Sequence, residues 1–211
     1  MIDNQSFGMT VEDLRVRIPI VISTRNVHLT ASVIEQLFCD HDRLHLDAAP
    51  NEAHHFVALD SVTLVGPHGR LRNVRIIGPP QKVNQVEISR TDAEILGVKA
   101  PLRRSGDLIG TPGITLKGPR IQVTLETGVI CVQRHVHMSP SQAKQFGFKD
   151  GDCVSVSIKG VNRALQFREV PVCISDDDHL ELHLDTDDAN LAGVKSGNYA
   201  LMETATRAGR R

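Results

Sequence analysis

The sequence has few aromatic residues: of 211 residues none is Trp, one is Tyr and six are Phe. A core without aromatic bulk has to be built from Val, Ile and Leu, which favour strands, so the composition predicts a β-rich fold. The 24 basic and 25 acidic side chains nearly cancel, which argues against a broad basic surface for nucleic acid. No apolar run approaches the roughly 20 residues of a membrane span, and residues 1–17 lack the apolar centre of a secretory signal. We therefore expect a cytoplasmic protein whose partners include neither nucleic acid nor membrane.

Cys-x-x-Cys pairs are also absent. The four cysteines are Cys39, Cys131, Cys153 and Cys173, and the last three lie in apolar, strand-like runs. This pattern predicts buried, reduced thiols.

The most informative short motif is His135-Val136-His137. In an extended strand alternate side chains share a face, so both imidazoles point one way and Val136 points into the opposite layer. Two neighbouring imidazoles can ligate zinc, which needs one or two further ligands from elsewhere. The alternative is a pair of solvated or hydrogen-bonded strand histidines.

An internal repeat supports the metal interpretation. Residues 25–30 parallel residues 134–139, and residues 88–99 parallel residues 184–195. A period near 100 residues is too long for a solenoid, so the repeat indicates two related β-rich units.

The same alignment places His183 at the position of Glu87, so each half offers three ligand-type residues. These are His135, His137 and His183 in the second half, and Asn26, His28 and Glu87 in the first. Three histidines with one exchangeable position form a known catalytic zinc pattern. The alternative for His183 is a solvated residue, because residues 181–185 alternate between polar and apolar.

Eight strings follow one another along this sequence: RNVHL (25–29), TLVGP (63–67), NVRIIGP (73–79), QVEISRTDA (85–93), APLRRSGD (100–107), GTPGI (110–114), QRHVHMS (133–139) and HLDTD (183–187). With these strings the sequence resembles the PduL-type phosphotransacylases, also called phosphate propanoyltransferases, over about residues 18–201. The resemblance implies a mainly β fold of two pseudo-symmetric closed antiparallel barrels with short helices, in which the first strand is exchanged between the halves. The implied domains are 1–24 plus 133–206, and 25–132, followed by a flexible tail at 207–211.

The resemblance also implies a reaction and its partners. Acyl-CoA and phosphate would give acyl phosphate and free CoA, reversibly and with a short acyl group. The resemblance further implies two bound zinc ions and a homodimer. Many members of the family work inside a bacterial microcompartment, where shell and cargo proteins would be partners. No CoA-binding residue is assigned, although backbone N–H groups of the Gly- and Pro-rich segment 105–113 suit CoA phosphates; ordinary tight turns are the alternative.

Two residues depart from the family pattern. Asn26 stands where the family has His, and Gln81 stands near a family Arg that is thought to hold phosphate. The resemblance therefore implies one full zinc site, made by the three histidines of the second half. It implies a second, weaker site at His28 and Glu87, where Asn26 is a poor ligand and where Cys39, His41 or His45 are possible substitutes.

The resemblance assigns catalytic roles to His28, Glu87 and Arg103. Candidate phosphate-binding residues are Arg25, Arg103 and Arg134, because guanidinium groups bind phosphate through paired hydrogen bonds. Gln81, near the family arginine, is a weak candidate. The alternative for each arginine is a surface ion pair.

We expect phosphate to attack the thioester directly, since no Ser–His–Asp arrangement or activated cysteine is evident. Zinc and arginine would hold the developing oxyanion. Two other functions remain open: a catalytically impaired paralogue that binds zinc and CoA, and a zinc hydrolase of acyl thioesters.

Overall fold

The structure is a computed structural model that describes residues 15–38, 56–160, 163–176 and 179–204. Two compact units divide the chain. The C-terminal unit comprises Met1–Ile22, Arg134–Leu184 and Asp188–Arg211, and the N-terminal unit comprises Ser23–Gln133 and Asp185–Asp187. The predicted boundaries, 24/25 and 132/133, lie beside the observed changes at 22/23 and 133/134.

Strands dominate both units, as the composition predicted. The strands are β1 (Arg15–Ser23), β2 (Asn26–His28), β3 (Phe56–Val65), β4 (Arg70–Gly78), β5 (Gln85–Ile88), β6 (Leu102–Arg103), β7 (Ile114–Lys117), β8 (Gln122–Leu125), β9 (Val129–Val132), β10 (His135–Met138), β11 (Cys153–Lys159), β12 (Ala164–Ile174), β13 (Glu181–Asp185) and β14 (Tyr199–Glu203). The helices are α1 (Ala31–Phe38), α2 (Arg90–Leu96), α3 (Pro140–Phe146) and α4 (Thr186–Ala192).

The C-terminal unit is a closed barrel with the strand order β1-β13-β10-β12-β11-β14. β1 pairs antiparallel with β14, with Ile18 opposite Ala200. The first strand of the described residues therefore completes the barrel of the second half, which confirms the predicted exchange. Alternate residues of each strand fill the interior; Ile18, Val136 and Leu182 are fully buried.

The N-terminal unit is a curled eight-stranded sheet with the order β6-β9-β5-β2-β4-β3-β7-β8. It forms a half-barrel, whereas the resemblance implied a second closed barrel. β6, at one end of this order, has only two residues, Leu102–Arg103, so it offers few backbone groups for closure. Val27, Leu64 and Ile76 are fully buried in the concave core.

The predicted repeat is present in the topology. β2 pairs in parallel with β4 and antiparallel with β5, and β10 pairs in parallel with β12 and antiparallel with β13. Two glycines repeat as well: a Cβ on Gly66 would strike the carbonyl oxygen of Leu96, and a Cβ on Gly160 would strike that of Ala192. These carbonyls end α2 and α4, so each glycine is required for the same close approach of a strand to a helix end.

The helices begin and end where the sequence signals them. α1 spans Ala31–Phe38, and Thr30 caps it by accepting a hydrogen bond from Val33 N. α2 begins with a reciprocal capping box between Ser89 and Asp92 and ends at Gly97, whose φ of 73° lies in the left-handed region. No helix of the described ranges is long and apolar enough to cross a membrane.

The cysteine prediction is only partly right. Cys131 is buried, and burial raises the pKa of its thiol to about 11. Cys153 is exposed, since it is the residue at which β11 begins, and Cys173 is half-buried. Cys39 lies outside the described residues, as do His41 and His45.

Candidate functional site

Three histidines share one face of the C-terminal barrel. His135 and His137 lie on β10 and flank Val136, which is fully buried on the opposite face. His183 lies on β13 directly opposite His135 in the antiparallel register. The ring centroids are 4.8 Å apart for His135 and His183, 5.8 Å for His137 and His183, and 6.3 Å for His135 and His137.

The spacing of these rings suits one zinc ion. Zn–N bonds of about 2.0–2.1 Å in tetrahedral geometry place two ring centroids about 5 Å apart. The rings of His135 and His183 are stacked at 11°, so their nitrogens do not yet converge, and one ring has to rotate. In residues 15–38, 56–160, 163–176 and 179–204 no group of three or more His, Cys, Asp or Glu side chains is already arranged around a metal position. The donor set nevertheless fits zinc, because three imidazole side chains on one face form one of its common ligand sets.

Glu181 lies within hydrogen-bond distance of His183. Its Oε1 lies 3.1 Å from His183 Nε2, and it stands opposite His137 in the strand register. The hydrogen bond from His183 holds the pKa of Glu181 below its usual value; partial burial acts the other way, and the nearby histidine charges add to the lowering. A carboxylate on the outer nitrogen of a ligand histidine fixes the ring tautomer.

Arg134 is anchored just before the first of these histidines. Its Nε donates to Asp188 Oδ2 at 2.7 Å and its Nη2 donates to Asp188 Oδ1 at 2.8 Å. The guanidinium also lies 4.8 Å from the centre of the Phe167 ring. This fork ties the start of β10 to α4.

The N-terminal unit repeats the same frame with other side chains. Asn26 on β2 stands directly opposite Glu87 on β5, at the positions that His135 and His183 occupy in the other unit. His28 Nε2 lies 3.7 Å from Glu87 Oε1. Two donors on one tetrahedral zinc lie about 3.3 Å apart, so this pair fits a shared ion with a small adjustment.

The side chain of Asn26 directs its amide nitrogen, which cannot bind a metal, toward Glu87. Its Nδ2 donates to Glu87 Oε2 at 3.1 Å and to the Thr24 carbonyl at 3.1 Å. Its Oδ1 is buried and has no hydrogen-bond partner. Turning the amide over would place Oδ1 against the carboxylate, so the donor orientation is the favourable one. Residue 26 therefore contributes a hydrogen bond to Glu87 where a histidine would contribute a lone pair.

Glu87 is held by two further neighbours. Gln85 Nε2 donates to Glu87 Oε1 at 2.6 Å and to Ser105 Oγ at 2.8 Å, while Gly106 N donates to Gln85 Oε1 at 2.7 Å. Ser105 Oγ in turn donates to Glu87 Oε1 at 3.2 Å. The carboxylate is thus fixed to the turn at residues 105–106.

The predicted phosphate holders differ in how tightly they are engaged. Arg25 forms a fork with Asp92, with Nε at 3.0 Å from Oδ2 and Nη2 at 2.9 Å from Oδ1, as Arg134 does with Asp188. Arg103 is exposed and makes a longer contact, 3.5 Å, with Asp107.

The half-buried Gln81 donates from Nε2 to the Pro79 carbonyl at 3.0 Å, within its own turn. Its backbone N–H donates to the Leu29 carbonyl at 2.8 Å. Gln81 therefore lies next to the end of β2, and its phosphate role stays a prediction.

The family model for phosphate propanoyltransferase matches residues 19–195 of this chain. The chain belongs to the phosphate propanoyltransferase family. A phosphate propanoyltransferase of Salmonella typhimurium is 48% identical over 185 residues, covering 87% of this chain and 88% of that protein. Those of Escherichia fergusonii and Klebsiella pneumoniae are 45% and 47% identical, covering 92% and 91% of this chain and 93% of each relative. Family membership supports a phosphate acyltransferase activity, so this chain is an acyltransferase enzyme.

Sequence reasoning missed the residues that hold the site together. Glu181 and Gln85 each lie two residues before a predicted ligand on the same strand, and Asp92 and Asp188 occupy equivalent places in α2 and α4. A signal for all four was present: Asp92 and Asp188 fall within the aligned segments 88–99 and 184–195, and the other two lie just before the aligned pair Glu87 and His183. Ser105 had no such signal, because only the folded loop brings it to Glu87.

Proposed function

We propose that this phosphate propanoyltransferase family member is a zinc-dependent enzyme. It interconverts a short-chain acyl-CoA and phosphate with the acyl phosphate and free CoA. The observation that carries the proposal is the repeated register: His135 opposite His183, and Asn26 opposite Glu87, each beside a second histidine on the same face. The printed names of the relatives supply the substrate class.

The histidines of the C-terminal unit, His135, His137 and His183, would hold one zinc ion. His28 and Glu87 would hold a second one more weakly, because Asn26 turns its amide nitrogen toward Glu87. Bound zinc polarises a phosphoryl or carbonyl oxygen and offsets its negative charge.

Arg103 is the arginine best suited to hold phosphate. Arg25 and Arg134 are committed to Asp92 and Asp188, whose side chains are only 3% and 14% exposed. The contact of Arg103 with Asp107 is a solvent-exposed i,i+4 pair, which is weak and exchangeable. Phosphate can therefore replace Asp107 on Arg103 without breaking a buried ion pair.

The chemical step is a direct displacement. A phosphate oxygen forms a bond to the acyl carbon, the carbon–sulfur bond breaks, and CoA leaves as the thiolate. Arg103 contributes positive charge where phosphate and the developing oxyanion lie. The buried Cys131 is unsuited to a covalent step, because burial raises its thiol pKa to about 11 and leaves almost no thiolate near neutral pH.

Three further features come with the proposal. CoA is the acyl carrier, the active form is a homodimer, and the enzyme works in the cytoplasm or inside a bacterial microcompartment beside shell and cargo proteins. Their support is the family resemblance.

Two other functions have a specific observation behind them. An impaired paralogue that binds zinc and CoA is favoured by the amide of Asn26, which occupies the position of a ligand but donates to Glu87. A thioester hydrolase is favoured by the exchangeable fourth position of a three-histidine zinc site, which can activate water.

One assay separates the three functions. Zinc-loaded protein is mixed with propanoyl-CoA, and thiol release is followed with and without phosphate. Release that requires phosphate and yields propanoyl phosphate supports the transferase. Equal release without phosphate identifies a hydrolase, and no release from protein that retains zinc and CoA identifies the impaired paralogue.

A further inference from the structure

We propose that Gln85 and Glu181 are a matched pair of positioning residues. Each orients the ligand-type residue two places further along its strand, Glu87 on β5 or His183 on β13. The inference rests on the proposed function for the role of those two ligands. It goes beyond it by assigning the side chains that set their orientation.

The repeat makes the two positions equivalent. Gln85 stands opposite His28 in the β2–β5 register, and Glu181 stands opposite His137 in the β10–β13 register. Both side chains therefore share the face that carries the ligands. Both make a short contact with the ligand of their own strand, 2.6 Å from Gln85 Nε2 to Glu87 Oε1 and 3.1 Å between Glu181 Oε1 and His183 Nε2.

Position 85 is a glutamine and position 181 a glutamate because the side chains that they contact, Glu87 and His183, need different hydrogen-bond partners. His183, as a neutral ring that donates from Nε2, keeps its lone pair on Nδ1, so it needs an acceptor at position 181. Glu87 is an anion and needs a neutral donor at position 85, since a second carboxylate 2.6 Å away would repel it. The chain carries the acceptor and the donor in the matching places.

Gln85 also links Glu87 to the turn at residues 105–106. It is 4% exposed, and its amide uses both ends: Nε2 donates to Glu87 and Ser105, and Oε1 accepts from the backbone of Gly106. Arg103 lies two residues before Ser105 on the same segment. One amide thus fixes the carboxylate of Glu87 and the turn next to the phosphate-holding arginine.

The test compares variants with opposite expected effects. Gln85→Leu and Glu181→Leu each remove the orienting hydrogen bond, and we expect zinc affinity to fall about 10- to 100-fold at the site concerned. Gln85→Glu keeps the acceptor for Gly106 but places a carboxylate against Glu87, so it should lose at least as much affinity. Glu181→Gln keeps an acceptor for His183 and should lose less than Glu181→Leu.

Two measurements read the variants. Zinc affinity is determined by competition with a chelator, and hydrogen exchange of the Gly106 amide is followed in the metal-free protein. Gln85→Leu should accelerate exchange at Gly106, while Gln85→Glu should not. Gln122→Leu, on the exposed edge of β8, is the matched control and should leave both readouts unchanged.

The outcomes are distinct. Wild-type zinc affinity in Gln85→Leu and Glu181→Leu, or unchanged Gly106 exchange in Gln85→Leu, overturns the inference. If Gln85→Leu does not fold, two variants replace it: Gln85→Glu, and Ser105→Ala at an exposed position. Zinc affinity equal to the wild type in Gln85→Glu overturns the inference. Reduced zinc affinity in both variants supports it. Wild-type protein that binds zinc but releases no thiol with phosphate overturns the proposed function alone, and the zinc affinities still decide the roles of positions 85 and 181.

Discussion

Asn26 donates a hydrogen bond to Glu87 across 3.1 Å, from Nδ2 to Oε2. The equivalent pair in the other half of the molecule is His135 and His183, whose rings are stacked 4.8 Å apart. The same strand register therefore carries two different chemistries, a hydrogen-bonded amide–carboxylate pair and a pair of imidazoles. This difference is the basis for expecting unequal metal sites.

Restoring a histidine at position 26 should strengthen the weaker site. Asn26→His replaces an amide donor with an imidazole beside His28 and Glu87, and completes a three-ligand set. We expect metal content to rise from about one zinc per chain to about two, measured by elemental analysis after gel filtration, with an increase in kcat.

The matched control for that variant is Asn26→Ala. It removes the hydrogen bond to Glu87 without adding a ligand, so it should not bind additional zinc. Equal zinc content in Asn26→His and Asn26→Ala would contradict the interpretation of position 26.

Breaking the fork between Arg134 and Asp188 should destabilise the fold. Asp188→Asn leaves the guanidinium with a neutral partner at the half-buried start of β10. The expected loss is about 1.5–3 kcal/mol in the free energy of unfolding, the usual value for a hydrogen bond to a charged group. Urea denaturation measures it, and Asp107→Asn, at the exposed pair with Arg103, should change stability by less than about 0.5 kcal/mol.

Removing Arg103 should affect phosphate specifically. Arg103→Ala deletes an exposed guanidinium whose contact with Asp107 is long, so the fold should persist. We expect the KM for phosphate to rise about 10-fold or more while the KM for acyl-CoA changes little, since a lost charged hydrogen bond is worth about 1.5–3 kcal/mol. An unchanged phosphate KM in steady-state assays would remove Arg103 from the mechanism.

The two thiols Cys131 and Cys153 should differ sharply in reactivity. Burial raises the pKa of Cys131 from 9.0 to about 11, whereas Cys153 is exposed. At pH 8 iodoacetamide should modify Cys153 and spare Cys131 in folded protein, which mass spectrometry of peptides resolves. Modification of Cys131 at the rate of Cys153 would show that β9 is not packed as described.

The same shift in pKa has a consequence for stability. Because the folded pKa of Cys131 is raised, its contribution is fully present below pH 9.0 and is lost as the pH rises through about 11. Wild-type protein should therefore lose stability relative to Cys131→Ala over that range. A constant difference between the two proteins would contradict it.

Much of the architecture was predictable because the internal repeat of the sequence indicates two units with matching strands. The alignment that put His183 at the place of Glu87 is confirmed by the equal strand register of the two pairs. The half-barrel form of the N-terminal unit was not predictable, since closure depends on strand lengths such as the two residues of β6.

The side-chain arrangement of the site was less predictable. Asp92 lies 67 residues from Arg25, and only the fold shows that the two form a fork. The amide orientation of Asn26 is decided by the carboxylate of Glu87 and the carbonyl of Thr24, which no local pattern reveals. Cys153 was misassigned because an apolar run does not tell which of its residues begins the strand.

The most direct test is a zinc count on three proteins: the wild type, His183→Ala and His28→Ala. The account predicts about one tightly bound zinc per wild-type chain, nearly none in His183→Ala, and an unchanged content in His28→Ala. Zinc that survives in His183→Ala but disappears in His28→Ala would contradict the assignment of the stronger site to the three histidines of the C-terminal unit.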